Sequence, residues 1–136
     1  MEKEFVPYDR ALRLKALGFD EPCFGFYICK GHPVYIDEIR NGKCFDSEES
    51  EGCLAPTFSQ AFRWFREKYE LLHELISVQE NSWLITIVDL NSKSVNGVYM
   101  KRINLDDIDE NVPSTYEEAE LACLDKLIEI VEQKQK

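Results

Sequence analysis

The stretch APTFSQAFRWFREKY, residues 55–69, predicts the helix around which the rest of the fold is arranged. Apolar residues recur here at spacings of three and four, and the stripe continues through Leu72 and Ile76. At 100° per residue they share one face of a helix. The pattern therefore predicts a long helix with a core-facing apolar stripe: Phe58, Ala61, Phe62, Phe65, Tyr69, Leu72 and Ile76.

The charged residues of this helix indicate a solvated face and not a nucleic-acid interface. Arg63 and Glu67, like Arg66 and Glu70, are spaced as i, i+4 pairs, and such carboxylates would repel phosphate. The whole chain has 16 Lys and Arg against 26 Asp and Glu, a net charge of −10. Binding a polyanion needs a surplus of positive charge, so no direct nucleic-acid binding is expected.

Two helix starts share one capping pattern. Thr57 and Gln60 open the central helix, and Thr115 and Glu118 open the last one, each with a Thr followed three residues later by Gln or Glu. This spacing predicts a capping box, in which the two side chains satisfy each other's backbone N–H groups. Pro7 predicts the start of a first helix by fixing φ.

Strand-like segments lie between the predicted helices. Residues 24–29 and 34–36 are aromatic and β-branched, and residues 30–33 between them predict the turn of a hairpin. Residues 83–88 are the strongest predicted strand, and residues 98–100, which follow Asn96-Gly97, are the expected partner in a second hairpin.

These elements predict an α+β fold for a single domain, residues 1–136, in the order α-ββ-α-ββ-α. About four strands would form one antiparallel sheet with three helices. The paired helix starts also raise the hypothesis of an internal ββα duplication, with units 24–76 and 82–134. The alternative is that both helices merely begin with the same favourable capping residues.

The last predicted helix carries one carboxylate within its apolar arc. From Tyr116 to Val131 the apolar positions follow helical spacing, and Glu120 lies among them. An unpaired buried charge is costly, so Glu120 is expected to be paired or to reach an edge. The alternative hypothesis makes Glu120 a ligand-facing acid.

The cysteine pattern predicts free thiols and no metal site. The chain has five cysteines, and four of them lie in one third of the sequence together with His32: Cys23, Cys29, Cys44 and Cys53. Structural zinc sites use closely spaced Cys pairs, which are missing from this pattern. No metal is therefore predicted.

Catalysis has little support in the sequence. There is no P-loop, no Gly-x-Gly-x-x-Gly and no His-Glu-x-x-His, so neither a cofactor nor catalytic residues are predicted. A small enzyme with a Cys/His site remains an alternative, through Cys29 with His32 or Cys53 with His73.

Two acidic segments are candidate interaction surfaces. Residues 45–53 form a like-charged loop that is predicted to be mobile, and a second acidic run follows residue 105. Together these segments could imitate DNA phosphates or bind a basic partner, although two solvated loops are the simpler interpretation. The residues concerned are Glu48, Glu49, Glu51, Asp106, Asp107, Asp109 and Glu110.

The sequence also bears on location. The amino terminus lacks the apolar core of a signal peptide, and no apolar run is long enough to span a membrane. A cytoplasmic protein without membrane partners is expected.

Three segments, residues 5–25, 55–69 and 116–124, resemble a family of small uncharacterised bacterial proteins often encoded in prophage or mobile-element regions. The resemblance implies a phage-related accessory role and no catalytic residues. The leading hypothesis is a non-enzymatic protein that interacts with a protein partner. That partner is either another protein or a second copy of the chain, which would form a homo-oligomer through an apolar sheet or helix face. The alternatives are an acidic nucleic-acid mimic that inhibits a DNA-binding enzyme, and the small Cys/His enzyme.

Overall fold

The computed structural model describes residues 2–31, 33–40, 51–80, 82–91, 94–95, 98–99, 102–104, 113 and 115–135. After a short 3-10 turn the α-helices are α1 (Tyr8–Ala16), α2 (Phe58–Tyr69) and α3 (Tyr116–Lys134). The strands are β1 (Cys23–Tyr27), β2 (Tyr35–Arg40), β3 (Cys53–Ala55), β4 (Leu71–Gln79), β5 (Ser82–Asp89), β6 (Ser94–Val95), β7 (Val98–Tyr99) and β8 (Arg102–Asn104). The predicted α+β class is confirmed. Among the described residues, no helix is both long and apolar enough to cross a membrane.

The chain forms two compact units, Met1–Ala61 and Phe62–Lys136, with the boundary inside α2. In the first unit β1 lies between β2 and β3, and both pairings are antiparallel. The β1–β2 hairpin is thus confirmed. In the second unit β5 lies between β4 and β8, again with antiparallel pairings.

The described strands do not form the single four-stranded sheet that the sequence predicted. They form two three-stranded sheets and the two-stranded pair β6–β7. The central strand β1 precedes both of its neighbours in the chain, whereas β5 follows one neighbour and precedes the other. The hypothesised repeats, residues 24–76 and 82–134, have other bounds than these two units, so the internal duplication stays a hypothesis.

Helix α1 and the strand β1 are joined by contacts from the amino-terminal segment. Pro7 precedes α1 without a side-chain cap, as predicted, and Gly18 with φ 97° follows its end. Val6 N–H donates to the backbone oxygen of Pro56, and the Tyr27 hydroxyl donates to the backbone oxygen of Val6 at 2.8 Å. These bonds hold the amino-terminal segment against the first sheet.

Glycine is required at one position of β1. A Cβ atom at Gly25 would lie 2.7 Å from a ring carbon of Phe5 and 2.8 Å from the backbone oxygen of Ala55. Gly25 pairs with Ala55 across β1 and β3. The absence of a side chain therefore lets the amino-terminal segment cover this sheet closely.

The capping prediction is only partly correct for α2. The hydroxyl of Thr57 accepts from Gln60 N–H at 3.2 Å, as expected. The Gln60 side chain, however, donates to the backbone oxygen of Pro22 at 2.8 Å. At α3, the hydroxyl of Thr115 accepts from Glu118 N–H at 3.1 Å, which confirms that cap.

The predicted length of the central helix was wrong. Helix α2 ends at Tyr69, and Leu71–Gln79 is a strand. Glu70 has φ 55°, a left-handed conformation that turns the chain out of the helix. Leu72 and Ile76 therefore do not belong to the apolar stripe of α2, because they lie in β4. They pair with Val88 and Leu84 of β5, because this long-range pairing overrides the local helical spacing.

The predicted partner of the strongest strand was also wrong. Strand β5 exists as expected, but its neighbours are β4 and β8. Val98 and Tyr99 pair instead with Val95 and Ser94. The predicted turn at Asn96-Gly97 lies outside the described residues.

Among the described elements of the second unit, helix α3 contributes the most fully buried residues. Its buried face is Ala119, Cys123, Leu124, Leu127, Ile128 and Val131. This agrees closely with the predicted apolar face, although Tyr116 at its start is 45% exposed. The pattern shows that helical spacing was a reliable guide where a long helix does form.

Candidate interaction surface

One face of the β1–β2 hairpin exposes large apolar side chains. Consecutive residues of a strand point to opposite faces, so Phe24 and Phe26 lie opposite the buried Cys23 and Tyr27. Phe24 is 58% exposed, and Ile28, in the bend that directly follows β1, is 52% exposed. We call Phe24, Phe26, Ile28 and Tyr35 the hairpin surface.

The two strands place an aromatic pair within this surface. Phe26 and Tyr35 are direct cross-strand partners, and their rings stack with centroids 5.7 Å apart at 24°. Tyr35 is 40% exposed. Ile36 pairs with Gly25 and so belongs to the other face of the hairpin, where it is 49% exposed.

An exposed group of this composition is typical of a binding surface. Aromatic and aliphatic side chains exposed as one patch mark protein interaction sites more often than scattered surface residues do. Burying one such side chain fully is worth roughly 1.5–3 kcal/mol. The hairpin surface can therefore contribute substantially to binding a partner, without any catalytic group.

The predicted acidic surface falls mostly outside the described residues. The role of these residues outside the described part stays a prediction, and they are Glu48, Glu49, Asp106, Asp107, Asp109 and Glu110. Glu51 is exposed, and its backbone oxygen accepts a hydrogen bond from the Tyr8 hydroxyl at 2.8 Å. Lys15 donates to the next backbone oxygen, that of Gly52, at 2.9 Å. Cys53, predicted to end the loop, is the first residue of β3 and is buried.

Burial makes three of the cysteines poor nucleophiles. It raises the pKa of the Cys23 thiol to about 12, with Glu21 as a smaller cause. Burial likewise raises the pKa of Cys53 to about 11 and that of Cys123 to about 12. A thiolate nucleophile needs a lowered pKa, so these three positions do not favour the Cys/His enzyme.

The remaining cysteine and histidine residues say less about the hypothesis of a Cys/His site. Cys29 is partly exposed, whereas His32 and Cys44 lie outside the described residues. His73 stacks on Phe62 with ring centroids 3.9 Å apart, and burial followed by Arg66 lowers its pKa. In the part of the chain that the structure describes, no group of three His, Cys, Asp or Glu residues is arranged to hold a metal ion.

Glu120 has an aromatic neighbour and is only partly buried. Burial raises its pKa, a hydrogen bond from Tyr116 opposes this, and Glu117 raises it further. The Tyr116 ring meets that of Trp83 edge-on at 5.3 Å and 72°. Tyr116 thus provides the polar partner expected for this carboxylate, and a ligand-facing role for Glu120 stays a prediction.

A second exposed apolar group lies on β4. Ile76 is 47% exposed, and Val78, at the register shift between Ser77 and Gln79, is 56% exposed. Sequence reasoning missed this group because it assigned residues 71–76 to a helix. It also missed the hairpin surface, since β1 has an aromatic side chain on each face and alternation alone does not show which face is covered.

Comparisons of the chain with protein-family models, with curated proteins and with solved structures found no match.

Proposed function

We propose that this chain is a non-enzymatic accessory protein of a phage or mobile element that binds a protein partner through the hairpin surface. The observation that carries the proposal is the exposure of Phe24, Ile28 and Tyr35 around the stacked ring of Phe26. The phage or mobile-element setting rests on the family resemblance of residues 5–25, 55–69 and 116–124.

The chemistry of this surface supports binding over catalysis. Its four side chains are apolar or aromatic, and the Tyr35 hydroxyl is the single polar group among them. Interface centres are enriched in aromatic side chains because these bury a large area at a small cost in conformational entropy. A partner with an apolar surface of its own is therefore expected, and a second copy of the chain meets that requirement.

The test uses variants of the full-length chain and a matched control. In Phe24→Thr/Tyr35→Thr both exposed rings are lost, while threonine keeps a high strand propensity. Ile36→Thr removes a similarly exposed apolar side chain from the opposite face of the same hairpin. Tagged wild-type and variant chains are purified from the native host, and bound proteins are identified by mass spectrometry.

Affinity and oligomeric state are then measured on purified proteins. The double variant is expected to weaken partner binding at least tenfold, whereas Ile36→Thr stays within about twofold of wild type. If the partner is a second copy, light scattering shows a wild-type dimer that the double variant converts to a monomer. Equal loss in both variants, or binding that survives in the double variant, would contradict the proposal.

A further inference from the structure

Two aromatic rings form a corner in the second unit, where α3 begins beside β5. The rings of Trp83 and Tyr116 meet edge-on, with centroids 5.3 Å apart and planes inclined by 72°. Tyr116 is 45% exposed and Trp83 is partly exposed, so solvent reaches both rings. A cation in such a corner can lie against both rings, whose faces carry partial negative charge.

Regular structure on both sides holds this corner in place. Trp83, Ile85 and Ile87 alternate along β5 and therefore share one face of the strand. Ile85 and Ile87 are buried, so Trp83 lies at the open end of a face that is otherwise covered. Its backbone N–H donates to the backbone oxygen of Pro113 at 3.2 Å, three residues before Tyr116. The two rings are thus positioned by the strand and by the start of the helix.

Helical spacing places a carboxylate next to the rings. Glu120 follows Tyr116 by four residues, and residues at this spacing are neighbours on a helix surface. The Tyr116 hydroxyl donates a hydrogen bond to the partly buried Glu120 carboxylate. Glu117 is close enough to affect both groups. We call Trp83, Tyr116, Glu117 and Glu120 the Trp83 cluster.

The electrostatic environment of the cluster disfavours more negative charge. Burial raises the pKa of Tyr116, and the charges of Glu120 and Glu117 raise it further. The pKa of Glu120 is itself raised, by burial and then by Glu117, against the hydrogen bond from Tyr116. A cation in the corner would stabilise the charged form of Glu120 and reduce the repulsion between the two carboxylates.

The sequence around the cluster has no basic residue that could supply this cation. Residues 113–125 contain four acidic residues and no lysine or arginine, and residues 82–89 of β5 have none either. A helix start ordinarily favours an anion because of its partial positive charge. Here Glu117 and Glu118 in the first turn of α3 offset that partial charge.

The combination of aromatic rings with carboxylates favours one type of cation. A quaternary ammonium group spreads its charge over methyl groups, so it can contact rings without losing strong hydration. It donates no hydrogen bond and therefore does not compete with the Tyr116 hydroxyl for Glu120. A lysine ammonium is compact and strongly hydrated, so entering this partly buried corner costs more.

We propose that the Trp83 cluster is a binding site for a quaternary ammonium group. Trp83 and Tyr116 would contact its methyl groups, and Glu120 and Glu117 would provide the opposite charge. The same group occurs in small molecules such as choline and in the side chain of trimethylated lysine. The site lies in the second unit, and it does not depend on the hairpin surface.

Small probes of matched shape test the proposal on the full-length chain. The quaternary probes are choline and an acetylated, amidated trimethyllysine. The controls are the neutral tert-butyl analogue of choline and the acetylated, amidated unmethylated lysine. Calorimetry measures their affinities, and NMR follows the indole N–H signals of the two tryptophans. Trp64 is an internal control, because it is 3% exposed and the Lys68 ammonium already lies 5.1 Å from its ring centre.

Both quaternary probes are expected to bind at least tenfold more tightly than their controls. They should shift the indole signal of Trp83 and leave that of Trp64 unchanged. The relative affinity of the two quaternary probes distinguishes the sources of the group. Tighter binding of trimethyllysine indicates a modified protein, and equal or tighter binding of choline indicates a free small molecule.

Variants separate the charge of the cluster from its aromatic contact. Glu120→Gln removes the charge at constant shape, and Tyr116→Leu removes the more exposed ring. Each is expected to weaken choline binding at least fivefold. The matched control is Glu129→Gln, which removes a half-exposed carboxylate from the same helix and should stay within about twofold of wild type. An unchanged amide spectrum outside the cluster shows that each variant is folded.

Several outcomes would overturn the proposal. One is the absence of binding by either quaternary probe at tens of millimolar. Another is equal affinity for choline and its neutral analogue, which would mean that charge has no role. Equal affinity for the methylated and unmethylated lysine would assign the site to ordinary ammonium groups instead. Binding that is unchanged in both Glu120→Gln and Tyr116→Leu would place the bound cation elsewhere.

Discussion

The rings of Phe26 and Tyr35 stack across the β1–β2 hairpin, with centroids 5.7 Å apart and planes inclined by 24°. The pair joins the central strand of the first sheet to its edge strand β2. It therefore has two roles: it stabilises the hairpin, and it forms part of the surface proposed to bind a partner.

The stabilising role predicts an energetic coupling between the two rings. In a double-mutant cycle with Phe26→Leu and Tyr35→Leu, we expect a coupling free energy of about 0.5–1.5 kcal/mol. Chemical denaturation of the four proteins measures it. Strictly additive effects of the two substitutions would contradict a direct ring contact.

Gly25 predicts a steric limit on β1. Gly25→Ala would place a Cβ against Phe5 and the backbone oxygen of Ala55, so we expect the free energy of unfolding to fall by about 1–3 kcal/mol. Gly31→Ala is the comparison, because Gly31 has no atom within 4 Å of a Cβ but has φ +86°. It should cost about 1 kcal/mol through backbone strain alone. A Gly25→Ala protein as stable as wild type would refute the close approach.

Glu70 predicts a stabilising substitution at the helix–strand junction. Its φ of 55° suits glycine better than glutamate, and its backbone oxygen accepts from Leu90 N–H at 2.8 Å in either case. Glu70→Gly should raise the free energy of unfolding by about 0.5–1 kcal/mol. Glu67→Gly, inside α2, should lower it by about 1 kcal/mol. Thermal and chemical unfolding of both variants decide the matter, and equal destabilisation would argue against the left-handed junction.

His73 predicts a loss of stability in mild acid. Its pKa in the folded protein lies below the ordinary value of 6.5, so the unfolded chain binds the proton more readily. The contribution of neutral His73 to the free energy of unfolding is therefore full above about pH 6.5, and it is lost as the pH falls through the lowered pKa. Unfolding free energies at about pH 7.5 and about pH 5.5 should differ less in His73→Phe than in wild type. An identical difference in both proteins would mean that another group causes the pH dependence.

Thiol burial predicts unequal cysteine reactivity. In a Cys44→Ser variant the remaining thiols are Cys29, which is partly exposed, and the buried Cys23, Cys53 and Cys123. A chromogenic disulfide reagent at about pH 8 should modify Cys29 at least tenfold faster than the others, which react fully only after unfolding. Mass spectrometry of peptides identifies the modified residue. Rapid modification of Cys53 in the folded protein would revive the Cys/His enzyme as a hypothesis.

Local sequence signals predicted the helices that are specified by their own residues. Thr115 begins α3 as a cap because its hydroxyl reaches the Glu118 N–H three residues on. The buried face of α3 follows the apolar spacing from Ala119 to Val131. These features depend on contacts within a few residues, so a single segment contains the information.

The errors occurred where residues distant in the chain compete with local spacing. Gln60 fits a capping box, yet its side chain donates to Pro22, 38 residues away. The strand β5 was predicted, but its partners were not, because pairing depends on several candidate strands at once and not on the nearest one.

The sequence by itself determined the α+β class, the starts of the three helices, the first hairpin and the strand β5. Tertiary structure alone decided that the chain turns at Glu70, that β4 pairs with β5, and that Phe24, Tyr35, Ile76 and Val78 are exposed. The physical reason is that capping and helical spacing act over a few residues. Strand partners and exposure depend on which distant segment buries an apolar face, and no local pattern contains that choice.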